Sequence, residues 1–156
     1  MFEQDYLMRQ LLQFFKAVVR SNEMIKEGAH PQDAADSLED AIGNATEMDG
    51  VALLSLAPDS IASIMRVTGI DPNITQFVTR SMLLESVYLK QAGNDSLAQV
   101  REAQARAIAR DYGFTLPEDP SDFESITAGL EDAALAGGFD ADIDDVDPLD
   151  IIQAYL

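Results

Sequence analysis

Residues 82–112 carry the pattern that decides the fold, and they read MLLESVYLKQAGNDSLAQVREAQARAIARDY. Apolar residues recur in this stretch at helical spacing, and strong helix formers such as Ala, Leu, Gln, Glu and Arg make up most of it. Gly93 divides the stretch, and glycine commonly ends a helix because it accepts a left-handed backbone without steric cost. The stretch therefore predicts two helices that fold back on one another as an antiparallel hairpin.

Proline and glycine divide the rest of the chain in the same way. The prolines that stand where a first helical turn can begin are Pro31, Pro58, Pro72, Pro120 and Pro148. The glycines that follow apolar-periodic runs are Gly28, Gly69, Gly93 and Gly113. The predicted helices span about residues 3–27, 31–46, 50–56, 58–68, 72–92, 95–112, 121–136 and 148–156. No alternating run of strand length stands out, so we expect an all-α fold of seven or eight helices in one domain, residues 1–156.

The hairpin resembles a tetratricopeptide repeat. We align Gly93 with the inter-helix turn of that repeat. Five positions of the repeat, which have large, small, large, small and small residues, then fall on Met82, Ser86, Leu89, Ala98 and Ala105. Small side chains let two helices approach closely, and large ones fill the groove beside them. Glu85 and Glu102 depart from the repeat, which has large apolar residues there, and no second copy follows at the repeat spacing. The resemblance implies one degenerate unit within a tetratricopeptide-like domain of antiparallel hairpins.

Two further segments carry a wider resemblance: Phe2–Arg9, FEQDYLMR, and Leu53–Asp59, LLSLAPD. Over most of its length the chain resembles a group of uncharacterised bacterial all-helical proteins. These proteins open with a similar aromatic-acid-aromatic-Leu-Met-Arg run and carry a Leu-Leu-x-Leu-x-Pro-Asp segment. The resemblance implies a tetratricopeptide-like fold and brings no established activity.

The charge of the chain is strongly negative and unevenly placed. The formal net charge is −18, and residues 111–156 hold 13 of the 28 Asp and Glu with no Lys or Arg. Such a field repels phosphate backbones and anionic lipid surfaces, so we expect no direct binding of nucleic acid or membrane and favour a basic protein partner. The chain has no cysteine, which excludes disulfides and thiolate metal ligands. We predict no signal peptide or membrane span, and a cytoplasmic location.

Two segments are candidate sites of chemistry, one with the histidine and one rich in aspartate. His30 is the only histidine, and its place before Pro31 favours a loop or N-cap role over catalysis. Aspartates alternate from Asp140 as in an EF-hand loop, but Asp145 stands at the sixth position, where glycine is needed, and Ile151 at the twelfth, where Glu belongs. We therefore favour a solvated acidic linker over a calcium site there, within an acidic segment of about 117–150, and predict no catalytic residue, metal ligand or cofactor.

Charged side chains on two helices offer weaker alternatives. The carboxylates that helices could gather around metal ions are Asp33, Asp36, Glu39 and Asp40, but the Glu-x-x-His pairs of helical-bundle metal enzymes are missing. Arg101, Arg106 and Arg110 are predicted on one side of their helix. We prefer their internal pairing with the acidic segment to an anion-binding role. The apolar helix faces are expected to pack together and to leave no buried polar cluster able to do chemistry.

The first helix suggests a surface for a partner. Its polar stripe comprises Arg9, Gln13, Lys16, Arg20, Glu23 and Glu27, and the opposite side is apolar. The apolar arc is wide for a surface helix, and its flank, the predicted partner-binding residues, comprises Met8, Leu12, Phe15 and Val19. The favoured function is a protein–protein interaction or scaffold module that binds another protein or itself, as a homodimer. The alternatives are an acidic inhibitor that mimics nucleic acid and occupies a basic partner, and, with less support, a metal-dependent helical-bundle enzyme.

Overall fold

The computed structural model describes residues 2–118, without the side chains of residues 2–12, 15 and 73. These residues form six α-helices, and no strand occurs among them. The helices are α1 (Phe2–Lys26), α2 (Pro31–Thr46), α3 (Gly50–Leu54), α4 (Pro58–Val67), α5 (Pro72–Gln91) and α6 (Asp95–Tyr112). The all-α prediction is confirmed for this part of the chain. The predicted helices at 121–136 and 148–156 and the aspartates from Asp140 onward lie outside the described residues.

The helix ends follow the local sequence. Pro31, Pro58 and Pro72 begin α2, α4 and α5, as predicted. The predicted glycine stops all have positive φ: Gly28, Gly69, Gly93 and Gly113. The third helix ends at Leu54, two residues earlier than predicted.

The fifth helix lies at the centre of the packing. It packs most extensively on α6, and also on α2 and α1, while α4 packs on the other side of α6 and α3 packs on α2. The five positions that the hairpin pattern singled out are all buried: Met82, Ser86, Leu89, Ala98 and Ala105. The residues on which the hairpin pattern rests therefore lie in the core.

The second and third helices approach closely enough to bring their backbones together. A Cβ atom on Gly50 would lie 2.7 Å from the carbonyl oxygen of Glu39, and one on Gly43 would lie 3.0 Å from the amide nitrogen of Gly50. Contacts below 3 Å force a neighbour to move, so only glycine fits at residue 50 without rearrangement. This close packing fixes α3 against α2 and directs its carboxyl end toward α6.

The described part of the first helix has the predicted amphipathic character. Phe14 and Val18 are buried, and Val19 and Ile25 are half-buried against the core. The residues of the polar stripe that are exposed are Gln13, Arg20, Glu23 and Glu27, while Lys16 is half-buried. The apolar side of α1 therefore faces α2 and α5 of its own domain over residues 14–25.

Candidate functional site

Four polar side chains meet in the core between α2, α5 and α6. They are Glu39, Glu85, Arg101 and Gln104, and we refer to them as the buried cluster. Glu85 and Gln104 are fully buried, the side chain of Arg101 is 4% exposed, and that of Glu39 is 21% exposed. The packed helices therefore enclose a polar cluster that the sequence analysis did not identify.

Arg101 connects its own helix, α6, to three other helices. Its Nε donates to Glu85 Oε2 at 2.9 Å, and its Nη2 donates to Glu39 Oε1 at 3.4 Å. Its Nη1 donates to the carbonyl oxygen of Leu54 at 2.7 Å and to Gln104 Oε1 at 3.1 Å. The planar guanidinium suits this role because its five N–H donors have fixed directions. One side chain of α6 thus contacts α2, the end of α3 and α5.

Gln104 completes the contact between α6 and the end of α3. Its Nε2 donates to the carbonyl oxygens of Leu54 at 3.0 Å and Leu56 at 2.6 Å. The last carbonyls of a helix have no partner within the helix, and a buried carbonyl without a partner is costly. Arg101 and Gln104 therefore act as C-terminal capping groups for α3, supplied by another helix.

The electrostatics of the buried cluster combine two carboxyl groups with a single guanidinium. Burial raises the pKa of Glu85 to about 8; the Arg101 guanidinium opposes this rise and the Glu39 carboxyl adds to it. Burial also raises the pKa of Glu39, again against the effect of Arg101. Removing a charged carboxylate from water disfavours its ionised form unless opposite charges compensate fully. One arginine compensates one carboxylate, so the second carboxyl group is the one that binds a proton.

The hydrogen bonds indicate which carboxyl holds the proton. No N–H or O–H donor of the described residues reaches Glu85 Oε1, although this atom is buried. The Glu39 carboxyl is close enough to Glu85 to raise its pKa. A proton on Glu85 turns one of its oxygens into a donor, which the Glu39 carboxylate can accept. The buried cluster is then electrically neutral, with Glu39 negative and Arg101 positive.

The α2 carboxylates that are candidate metal ligands do not point to a common centre. Asp33, Asp36 and Asp40 are exposed on α2, whereas Glu39 points to Arg101. Within residues 2–118, no group of three or more His, Asp or Glu is placed to hold a metal ion. The chemistry that the buried cluster itself supports is the binding and release of one proton.

A groove between α1 and α2 is a second candidate site. It measures about 90 Å³ and is lined by Gln13, Phe14, Ala17, Ala41, Asn44 and Ala45. Three of these residues are alanines, whose short side chains leave space between the two helices. The exposed acidic residues of α2 beside it are Asp33, Asp36 and Asp40. These residues are spaced three and four apart, so they form one stripe along the helix.

The predicted partner-binding flank lies elsewhere on α1. Val19 is half-buried and packs against the core, and the side chains of Met8, Leu12 and Phe15 lie outside the described residues. At about 100° per residue, this flank is roughly half a turn around α1 from the groove. The flank stays a prediction, and the groove is a site that the sequence analysis did not identify.

The other residues singled out from the sequence have structural roles. His30 is the N-cap of α2, as predicted: its Nδ1 accepts a hydrogen bond from the backbone N–H of Gln32 at 3.2 Å. Arg106 pairs with Glu102 at 3.1 Å and Arg110 with Asp59 at 3.3 Å.

The prediction that the three arginines of α6 share one side was wrong, because Arg101 is buried and Arg106 and Arg110 are exposed. Internal pairing is confirmed for all three. Their ionic partners among the described residues are Glu39, Glu85, Glu102 and Asp59. Of the acidic segment only residues 117 and 118 are described, and the backbone carbonyl of Glu118 lies 3.5 Å from Arg106 Nη2.

One feature of the sequence points to the buried cluster. Glu85 and Arg101 stand eight residues on either side of Gly93, so an antiparallel hairpin places them opposite one another. Glu85 also occupies a position where the resembling repeat has an apolar residue. The pair was therefore detectable as an acid and a base facing each other within the hairpin, whereas Glu39 and Gln104 were not.

Comparisons with protein-family models, curated proteins and solved structures give no match to this chain. Within residues 2–118, no helix is both long and apolar enough to cross a membrane.

Proposed function

We propose that the protein is a helical interaction module, tetratricopeptide-like in its α5–α6 hairpin, that binds a basic helical segment of another protein at the α1–α2 groove. The observation that carries the proposal is this groove of about 90 Å³, lined by Ala17, Ala41 and Ala45. Sites for drug-sized ligands measure about 300–1,000 Å³, so the groove suits one inserted side chain of a protein rather than a small molecule. We place this interaction in the cytoplasm.

The acidic rim of the groove favours a partner that carries Lys or Arg on one side. The α2 rim carries the acidic stripe that includes Asp36 and Asp40, whereas the α1 rim carries Lys16 and Arg20. A partner helix can insert one aliphatic side chain into the groove. Lys or Arg on one side of that helix then pairs with the carboxylates of α2. Complementary charges of this kind set the orientation of the partner and speed its association.

The net charge bears on the alternatives. Two copies of a chain with net charge −18 repel each other, which favours a basic partner over a homodimer. An acidic mimic of nucleic acid would also bind a basic protein, but that protein would have to contain a nucleic-acid-binding site. The identity of the captured partner separates these two functions.

Photo-crosslinking in cells that make the protein tests the proposal. A benzophenone amino acid replaces Gln13, which is exposed at the groove. We expect a covalent adduct with a basic protein, and we expect Asn44→Trp, which fills the groove from α2, to remove it. Because the interaction depends on opposite charges, Asp36→Asn with Asp40→Asn should weaken the adduct, and so should added salt.

The matched control places the same crosslinker at Ala103, an exposed residue of α6. An adduct that forms equally from both positions, or that persists in Asn44→Trp, would contradict binding at the groove. An adduct with the mass of two copies of the chain would replace the basic partner with self-association.

A further inference from the structure

We propose that the buried cluster is a proton-dependent switch, which holds α2 and α3 against the α5–α6 hairpin while it carries a proton and loosens them when that proton is lost. The proposal is independent of the binding groove, because it concerns the core and is tested without a partner.

The first support is the placement of the buried cluster. Arg101 and Gln104 of α6 hold the end of α3 through the carbonyls of Leu54 and Leu56. Arg101 also holds α2 through Glu39 and α5 through Glu85. These hydrogen bonds join residues up to 62 positions apart in the chain, so they determine how the helices are arranged rather than whether each helix forms.

The second support is the balance of charge. The charged groups that act on Glu85 are Arg101 from α6 and Glu39 from α2; among the described side chains, α1 presents none to it. Asp36 and Asp40 of α2 act on Glu39 and disfavour its charge. With both carboxyls ionised the buried cluster carries one uncompensated negative charge in the core, which is costly in a medium of low dielectric constant.

The exposure of the four side chains indicates where the structure loosens. Glu39 is 21% exposed, whereas Glu85 and Gln104 are fully buried. When Glu85 loses its proton, Glu39 is the carboxylate that can turn toward water. Its departure removes the Arg101 contact to α2. The junction of α2 and α3 is therefore the part that loosens.

The sign of the pH dependence follows from the pKa of Glu85. It rises from 4.5 to about 8 on folding, so between these values the folded chain holds a proton that the unfolded chain has released. The stability from this group is complete below pH 4.5 and is lost as the pH rises through about 8. Because unfolding releases one proton within that window, each increase of one pH unit raises the unfolding equilibrium constant up to about tenfold. The raised pKa of Glu39 acts in the same direction.

Urea unfolding from pH 5 to pH 9 tests the switch with Glu85→Gln. The amide keeps an oxygen for Arg101 and an N–H for Glu39, so it imitates protonated Glu85 without titrating. We expect the variant to match wild type near pH 5, to be more stable at pH 9, and to lose the tenfold dependence per pH unit. Glu102→Gln, which removes a half-buried carboxylate of α6 that pairs with Arg106, should keep the wild-type slope. Equal slopes for wild type and Glu85→Gln would overturn the proposal.

Two measurements keep the test decisive if Glu85→Gln does not fold. A carboxyl carbon resonance of wild-type protein should titrate near pH 8, and a set of glutamates that all titrate near their ordinary value would overturn the proposal. Hydrogen exchange, corrected for its intrinsic pH dependence, should show that α2 and α3 lose protection before α6 as the pH rises. Simultaneous loss in all helices would also overturn it.

Discussion

Single residues set how closely the elements of this protein approach. Gly50 is the clearest case, because the space for its missing side chain is occupied by the backbone carbonyl of Glu39. A backbone group within α2 cannot rotate away as a flexible side chain would. The same approach brings Leu54 within reach of Arg101, so a change at residue 50 acts on the buried cluster as well.

At the residue scale we predict that Gly50→Ala destabilises the protein. Alanine favours a helix over glycine by roughly 0.5–1 kcal/mol, whereas forcing extra volume into a packed site costs about 1–3 kcal/mol, so the clash prevails. Urea unfolding measures the loss. Val51→Ala is the matched control, because Val51 is 71% exposed and its truncation should change stability by no more than about 0.5 kcal/mol. Equal effects of the two substitutions would contradict the close approach of α2 and α3.

The sixth helix shows how one element serves two neighbours. It packs on both α5 and α4, and small residues such as Ala98, Ala105 and Ala109 let these helices come close. Ile108 is fully buried, whereas Val100 on the same helix is 40% exposed. The helix therefore has distinct buried and exposed sides, in agreement with the periodicity of its sequence.

At the element scale we predict that Ile108→Ala costs about 2–5 kcal/mol of unfolding free energy, since it removes a fully buried side chain and leaves a cavity. Chemical denaturation followed by circular dichroism measures the loss. The control on the same helix is Val100→Ala, for which we expect about 0.5 kcal/mol or less. A small loss at residue 108 would mean that α6 is not packed between α4 and α5.

The whole molecule carries an excess of negative charge that acts over long distances. The net charge of −18 lowers the stability of the compact state through self-repulsion, because folding brings like charges together. Salt screens this repulsion, with a Debye length of about 30 Å at 0.01 M and about 10 Å at 0.1 M. The ion pair between Arg101 and Glu39 is largely buried and is screened much less.

At the scale of the whole molecule we predict that raising NaCl from about 0.01 to 0.2 M at pH 7 increases Tm by about 2–4 °C, the shift that about 1 kcal/mol produces in a chain of this size. Differential scanning calorimetry measures it. The rise should vanish near pH 4.1, the isoelectric point from the sequence, where the net charge is close to zero. A Tm that does not respond to salt at pH 7 would show that self-repulsion does not limit stability.

The local sequence accounts for the helices of residues 2–118 and for most of their ends. These features depend on neighbouring residues: Pro31 and Pro58 preset a first turn, Gly93 and Gly113 accept the left-handed backbone, and the apolar period is helical. The predicted hairpin and the N-cap role of His30 have the same local origin.

Which polar groups are buried together depends on contacts between residues that are far apart in the chain. Arg110 pairs with Asp59, 51 residues away, and Arg101 reaches Glu39 across 62 residues. The location of the groove likewise depends on α1 lying against α2. Such contacts are decided by which helices become neighbours and how closely their backbones approach. The local pattern does not contain that information. For this reason the sequence analysis predicted an apolar core, whereas the core holds two glutamates, an arginine and a glutamine.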